Sequence, residues 1–182
     1  SLVRTLETEL RVGQAEGSDE LTFGRIGGML VGSDGTMYVY DAHQTTGLFR
    51  MYDANGAFLR TLGAKGGGPG EYGQLNGFAL APNGDLVLWD GSGGRVNRYA
   101  PDGSFKSSFR VPIGGFFTVN GVHVATDGVI SLRSTVGMTQ VASGARTGIP
   151  GAIRFDSVGT LLDSLPYPRW RDVESQFILV EN

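Results

Sequence analysis

Few side chains in this sequence could support catalysis or metal binding. His43 and His123 are the only histidines among 182 residues, and there is no cysteine. The lack of cysteine excludes disulfides, zinc–thiolate sites and thiol nucleophiles from this stretch. No serine lies in a Gly-x-Ser-x-Gly motif, so a Ser-His-Asp triad cannot be assembled from spacing. The two histidines stand at different points of the repeat described below, so a shared metal site is not expected.

Two aspartates, Asp41 and Asp90, directly follow apolar runs. A carboxylate between a strand and a turn commonly accepts hydrogen bonds from the loop that follows it. In the second run an arginine, Arg95, stands a short loop further on. We therefore interpret both aspartates as loop-capping residues, with Arg95 taking part in the cap, and we expect no metal ion and no cofactor.

The glycine-rich residues 66–70 could suggest a phosphate-binding loop. Such a loop ends in Gly-Lys-Ser/Thr and leads into a helix, and neither feature follows here. We interpret Gly68, Pro69, Gly70 and Glu71 as part of a linker between structural units, in which Glu71 bonds backbone groups.

Composition bounds the fold and the partners. The formal net charge is −3 and the sequence pI is about 5.3, which disfavours nucleic acid as a partner. Glycine is frequent, with 30 residues, and stands beside Asp and Asn between short apolar runs. This placement indicates many tight turns and therefore many short strands. No apolar run is long enough to span a bilayer as a helix.

An internal repeat organises the chain. The pattern of residues 23–28 recurs in residues 72–77 at an offset of 49, and the offset holds through residues 37–41 and 86–90. Each copy contains an apolar run, an Asp-Gly or Asn-Gly pair, and a returning apolar run. This pair predicts a tight hairpin in which both central residues have positive φ. Four antiparallel strands fit into each copy of 44 to 49 residues.

A third copy follows at an offset of 44 and has diverged. Asp127-Gly128 matches Asn83-Gly84, but Ser134 stands where the other copies carry an aspartate. Residues 135–150 form an insertion rich in Gly, Ser and Thr, which we interpret as a mobile surface loop or a docking loop.

Four-stranded units at this period predict an all-β fold of β-propeller blades, which must stack because one blade cannot bury both of its faces. A sandwich or barrel with a duplicated sequence is the structural alternative. The expected units are a partial blade and linker in residues 1–23, blades in 24–72 and 73–117, a diverged blade in 118–165, and a tail in 166–182.

The segment Gly66-Gly67-Gly68-Pro69-Gly70-Glu71-Tyr72 resembles the interblade linker of NHL-type six-bladed β-propellers, including bacterial exported ones. Residues 83–90 and 93–99 also resemble motifs of that family. The chain departs from the family at Leu48, where the first blade should carry the arginine matched by Arg95. At about 47 residues per blade it supplies fewer than four blades, so we expect an open or truncated six-bladed ring.

The resemblance implies two kinds of function. Related lactonases hold a central ion, for which Asp41, Asp90 and Asn120 would be the nearest candidates. Because the catalytic side chains are few, we favour a non-enzymatic scaffold of the periplasm or the extracellular space, such as an accessory subunit of a membrane-bound complex. A lactonase- or lyase-type enzyme with site residues in missing blades, and a sugar or peptide binder, are the alternatives.

The expected partner is another protein or a second copy that covers the open blade edges. Tyr, Trp and Arg are enriched at interface hot spots, and the tail combines them in Tyr167, Arg169, Trp170 and Arg171. These four residues either bind the partner or pack across the protein's own blades.

Overall fold

The structure is a computed structural model that describes residues 10–43, 47–112, 121–140 and 146–167. In these ranges all regular structure is β, in three four-stranded antiparallel sheets and one two-stranded sheet. This confirms the predicted all-β architecture of four-stranded blades. Tyr167 is the last described residue, so Arg169, Trp170 and Arg171 of the predicted contact site lie outside the described residues.

The sheets follow the chain in order, so that each blade is a meander of consecutive strands. Blade 1 contains β1 (Ile26–Val31), β2 (Met37–Asp41), β3 (Leu48–Tyr52) and β4 (Phe58–Leu62). A linker with the short parallel strands β5 (Ala64–Lys65) and β6 (Glu71–Tyr72) leads to blade 2. Blade 2 contains β7 (Leu75–Leu80), β8 (Leu86–Asp90), β9 (Arg95–Tyr99) and β10 (Phe105–Arg110). Blade 3 contains β11 (Val122–Val124), β12 (Ile130–Gln140), β13 (Arg146–Phe155) and β14 (Leu161–Pro166).

The hairpins between the first two strands of each blade are built alike, although not as the sequence predicts. In blade 2 the Gly84 N–H donates to the Ala81 carbonyl at 2.9 Å, and the Ala81 N–H donates to the Asp85 carbonyl at 2.8 Å. Gly84 has φ +82°, whereas no non-glycine residue in the described ranges has positive φ. The expectation that both central residues have positive φ is therefore wrong, because the turn closes over three residues and only its glycine is left-handed.

Apolar side chains on the blade faces form the core. Blades 1 and 2 meet in a cluster that includes Tyr38, Phe49, Leu62, Leu86 and Leu88, all buried. Blades 2 and 3 meet in a second cluster, which includes Val87, Trp89, Ile130, Leu132 and Phe155. The middle strands β2 and β8 are buried on both faces: β8 lies between blades 1 and 3, whereas the outer face of β2 packs against residues of the N-terminal segment.

The segment 135–150 is not a loop where the structure describes it. β12 and β13 continue to pair beyond the sheet, from Thr135 with Pro150 to Gln140 with Arg146, and a bulge interrupts the register between Thr135 and Gly137. Each strand is about twice as long as its counterpart in the other blades. The interpretation as a loop is therefore wrong for these residues: glycine and threonine here extend a two-stranded arm.

Truncation of a buried apolar side chain in the interface of blades 2 and 3 should destabilise the protein strongly. Leu132 is fully buried in that interface, so Leu132→Ala leaves a cavity and should lower the free energy of unfolding by about 2–5 kcal/mol. Leu162→Ala on β14 is the matched control, because Leu162 is 49% exposed. Urea denaturation of both variants tests this, and an equal effect of the two substitutions would contradict the proposed interface.

Candidate functional site

The linker between blades 1 and 2 is fixed by its own turn. The Glu71 N–H donates to the Gly68 carbonyl at 3.1 Å, and the Glu71 carboxylate accepts from the Gly68 N–H at 2.7 Å. Pro69 and Gly70 occupy the two central positions, and Gly70 has φ +71°. This arrangement is that of a type II turn, which favours Pro first and requires positive φ second.

Arg95 fixes the glycines that precede this turn. Its Nη1 donates to the carbonyls of Gly67 at 2.6 Å and Gly68 at 3.0 Å, and its Nη2 donates to that of Gly66 at 3.3 Å. The Arg95 Nε contacts the Asp90 carboxylate at 3.3 Å, and both side chains are buried. A planar guanidinium suits this work because it presents five donors in a fixed geometry.

Asp90 joins the same network from the loop side. Its carboxylate accepts from the Ser92 hydroxyl at 2.7 Å and from the Gly93 N–H at 3.0 Å. The carboxylate therefore holds the turn between β8 and β9 and the side chain of Arg95 together. We call Asp90, Arg95 and the carbonyls that Arg95 binds the linker clamp.

Two further side chains of β9 bind the linker. The Asn97 Nδ2 donates to the Glu71 carbonyl at 3.1 Å, and the Tyr99 hydroxyl donates to the Gly70 carbonyl at 2.7 Å. Arg95, Asn97 and Tyr99 are two residues apart and so lie on one face of the strand. Burial raises the pKa of Tyr99 to about 12.

Tyr72 connects the end of the linker to blade 1. Its hydroxyl donates to the Leu62 carbonyl at 2.6 Å and accepts from the Phe49 N–H at 2.9 Å, and its side chain is fully buried. Burial raises the pKa of this hydroxyl above its usual range. Tyr72 therefore satisfies a donor on β3 and an acceptor on β4 while it packs in the core.

Blade 1 builds a related network with one arginine in a different place. Leu48 pairs with Asp41 in the register, as Arg95 pairs with Asp90. Arg50, two residues further along the same face of β3, reaches Asp41 at 3.4 Å and donates from Nη1 to the Thr22 carbonyl at 2.8 Å. Arg50 therefore supplies the cation that Leu48 cannot supply to Asp41. The repeat in the sequence does not reveal this role, because Arg50 does not align with Arg95.

The Asp41 carboxylate is bound mainly by backbone groups. It accepts from the N–H groups of Gly24 at 3.1 Å, Arg25 at 3.0 Å and His43 at 3.2 Å. Burial raises the pKa of this carboxyl, but the three backbone hydrogen bonds and the charge of Arg50 outweigh burial, so that its pKa lies below the usual value. The Asp41 carboxylate therefore stabilises the loops at this end of blade 1.

The described residues of blade 3 do not form such a network. Ser134 stands in place of the aspartate, is buried, and its hydroxyl has no hydrogen-bond partner among the described residues. Ile153 and Phe155 on β13 face blade 2. They occupy the positions that Asn97 and Tyr99 occupy on β9 of blade 2. Apolar packing thus replaces the polar contacts of the other two blades.

A cleft of about 700 Å³ opens where the linker, the β2–β3 loop and the β8–β9 turn meet. Tyr40, Leu75 and Phe78 form its apolar wall. Its polar side chains include no carboxylate among the described residues; they are Arg25, His43, Lys65, Gln74, Asn76 and Ser92. Asp90 in the linker clamp and Asp41 in blade 1 are both buried, whereas Arg25 and Lys65 are exposed and line the cleft.

The structure does not bring the two histidines together in one site. His43 lines the cleft after β2, whereas His123 lies in β11 of blade 3. Asn120 falls outside the described residues. In the described ranges, no group of three or more His, Asp or Glu side chains could hold a metal ion. Tyr167 is 41% exposed, and its N–H donates to the Pro150 carbonyl at 2.9 Å.

The buried charge pair of the linker clamp should be sensitive to removal of one partner. Arg95→Met leaves Asp90 buried without its cation and three linker carbonyls without their donor, and should lower the free energy of unfolding by about 3–5 kcal/mol. Arg60→Met, at an exposed position of β4, is the control and should have little effect. Urea denaturation measures both, and the double variant Asp90→Asn/Arg95→Met should recover part of the loss. Equal stability of Arg95→Met and Arg60→Met would refute the clamp.

The buried Tyr99 hydroxyl predicts a loss of stability in alkali. Its pKa is about 12 in the folded protein against about 10 in an unfolded chain, so between these pH values the unfolded chain loses a proton that the folded chain keeps. The contribution is complete below pH 10 and declines as pH rises towards 12. Tyr99→Phe should therefore lose less stability than the original chain over this window, measured by urea denaturation at each pH. Parallel curves for the two proteins would be the contrary result.

Comparison with known structures identifies the architecture. A structure of a protein from Bacteroides fragilis NCTC 9343, described as a candidate exported protein, matches 90% of this chain and 43% of its own, with a TM-score of 0.63 and 20% identity. A gluconolactonase of Xanthomonas campestris matches 86% of this chain and 54% of its own, with a TM-score of 0.52 and 21% identity. A luciferin-regenerating enzyme matches 79% and 47%, with a TM-score of 0.53 and 15% identity.

The chain spans about half the length of the solved structures that it matches. At these identities the likeness shows the fold alone. No curated protein matches the chain in sequence. No helix in the described ranges has the length and apolar character that a membrane span requires.

A family match gives the same architecture from sequence. The family DUF5128, described as a 6-bladed beta-propeller, matches residues 13–127, from before β1 to the turn between β11 and β12. The finer resemblance to NHL-type propellers stays a prediction. Since the match covers more than half of the chain and the sheets have the expected form, the chain belongs to this six-bladed β-propeller family.

Proposed function

We propose that this chain is a non-enzymatic propeller module that binds another protein through the open face of blade 1. The observation that carries the proposal is a group of exposed apolar side chains on β1. Ile26, Met29 and Val31 are 58%, 57% and 54% exposed. Met29 and Val31 pair with Val39 and Met37, so they lie on the face of blade 1 that is turned away from blade 2.

The repeat indicates what these side chains are for. Met29 and Val31 stand at the positions of Phe78 and Leu80 in blade 2, at the offset of 49. Phe78 and Leu80 pack against blade 1. Met29 and Val31 therefore have the chemistry of an interface between blades, in a place where the described residues supply no blade to cover them.

The N-terminal segment covers only part of the face. Val12, Leu21 and Phe23 pack against Met37, Val39 and Tyr52, and the Tyr52 hydroxyl donates to the Glu20 carbonyl. The Phe23 ring also lies 5.0 Å from the Arg50 guanidinium. This cover leaves β1 open, and an apolar area next to an existing core favours a protein partner.

The outer face of blade 3 argues against a second copy as that partner. Ile130 and Leu132 face blade 2, so the alternate residues Ser131 and Arg133 lie on the outer face. Arg154 adds an ion pair with Asp163 at 2.7 Å on the same face. Leu165, 45% exposed, is an apolar residue on this otherwise charged and polar face. A ring closed by two copies would press the charged groups of this face onto Met29 and Val31, which would desolvate charges against apolar groups.

The proposed partner is therefore a protein face rich in large apolar side chains, like the one that blade 1 presents to blade 2. The tail residues Tyr167, Arg169, Trp170 and Arg171 would add a second contact area. We place the module outside the cytoplasm, as an accessory subunit of a larger, membrane-bound assembly. The description of the similar Bacteroides fragilis protein as a candidate exported protein supports this location.

A lactonase- or lyase-type enzyme is the second candidate function. Its support is the fold that the chain shares with a gluconolactonase. Asp41 and Asp90 are held by loop hydrogen bonds, so such an enzyme would take its metal ligands from residues outside the described ranges. A stoichiometric divalent ion in the native protein, measured by elemental analysis, would favour this candidate over the first.

Charge on the open face should abolish partner binding without unfolding the chain. Met29→Lys/Val31→Lys places two cations where an apolar partner face is proposed, whereas the exposed Leu162→Lys on β14 is the matched control. Tagged forms isolated from native cells at low detergent should yield a stoichiometric partner with the original chain and the control, but not with the double variant. Circular dichroism verifies that both variants are folded. Recovery of the original chain only as a lone monomer would count against the proposal, as would retention of the partner by the double variant.

A further inference from the structure

The cleft between blades 1 and 2 has a chemistry that the protein-binding proposal does not use. We infer that it binds a small carboxylated sugar, a ligand of the uronate class. The inference is independent of the proposed function, because the cleft and the open face of blade 1 involve different residues. Its volume of about 700 Å³ lies within the usual range of small-molecule sites, roughly 300–1,000 Å³.

The charges around the cleft select an anion. The chain has a formal net charge of −3, yet Arg25 and Lys65 line this cleft and none of its described lining residues is acidic. The two nearest loop aspartates, Asp41 and Asp90, are buried and bound by Arg50, Arg95 and backbone N–H groups. A guanidinium and an ammonium at one opening favour a carboxylate, and the guanidinium can bind it in bidentate fashion.

The position of Arg25 is fixed by the blade itself. Its backbone N–H donates to the Asp41 carboxylate at 3.0 Å, and its carbonyl accepts from the Ala42 N–H at 2.7 Å. The exposed side chain therefore extends from a backbone segment that is held at both ends. The fixed backbone lowers the ordering cost of binding relative to an arginine on an unconstrained loop, while the side chain itself still has to be ordered by the ligand.

The remaining walls suit the neutral part of a sugar. Tyr40 and Phe78 line the cleft with ring centroids 6.0 Å apart in an edge-to-face arrangement, and the parts of these rings that reach the cleft offer apolar contact to the C–H groups of a sugar. Gln74 and Asn76 line the other side, and amide side chains both donate to and accept from hydroxyl groups. A free amino acid or a peptide N-terminus fits less well, because its ammonium group would need a carboxylate that the described lining does not provide.

The full chain titrated with D-glucuronate, D-glucose and sodium acetate tests this inference. Glucose has the hydroxyls without the charge, and acetate has the charge without the ring. Nuclear magnetic resonance follows the amide signals of the cleft glycines Gly27, Gly73 and Gly77. Glucuronate should produce saturable shifts at these glycines and bind at least about tenfold more tightly than glucose or acetate, which corresponds to one good charge-assisted contact.

Charge-removal variants complete the test. Arg25→Ala and Lys65→Ala, both at exposed positions, should each weaken glucuronate binding about tenfold, whereas Arg60→Ala on β4 should leave it unchanged. No saturable shift with glucuronate would overturn the inference. Equal binding of acetate or glucose would overturn it as well, and so would unchanged affinity in the Arg25→Ala/Lys65→Ala double variant. None of these results depends on whether the open face of blade 1 binds a protein.

Discussion

The linker between blades imposes the main constraint on this structure. A glycine-rich segment that passes from one sheet to the next leaves several carbonyl oxygens without strand partners, and buried carbonyls require donors. Arg95 supplies donors to three of them, and Asp90 neutralises and orients the guanidinium within the turn that follows β8. The position of blade 2 relative to its linker therefore depends on the buried arginine–aspartate pair together with Asn97 and Tyr99, which bind the next two linker carbonyls.

The aspartate–arginine network differs among the three blades, so the blades are not equivalent. Blade 2 has the full clamp, blade 1 has a version in which Arg50 reaches Asp41 from a neighbouring position, and blade 3 has only a buried serine. The outer faces of blades 1 and 3 also differ in polarity. The outer face of blade 1 is apolar and incompletely covered by the described residues, whereas that of blade 3 combines arginine and serine with the exposed Leu165. The outer faces of these two blades therefore differ in chemistry.

The repeat in the sequence predicts the sheets because alternation, turn glycines and spacing are local properties. The expected roles of Glu71 and the two aspartates follow from the same local pattern. Arg50 could not be predicted by alignment, since two positions on one strand face can reach the same carboxylate. The cleft could not be predicted either, because Arg25 and Lys65 are far apart in sequence and share a site only after the blades stack. Segment 135–150 was misinterpreted because glycine and threonine suit both loops and exposed strand pairs.

The arm formed by β12 and β13 makes the end of the propeller that carries the cleft asymmetric. In blades 1 and 2 the second strand turns back directly after its aspartate, whereas β12 continues for six residues beyond Ser134, or ~20 Å at the rise of an extended chain. The described parts of β12 and β13 extend from the end of blade 3 that corresponds to the cleft end of blades 1 and 2, so the surface at this end differs from blade to blade.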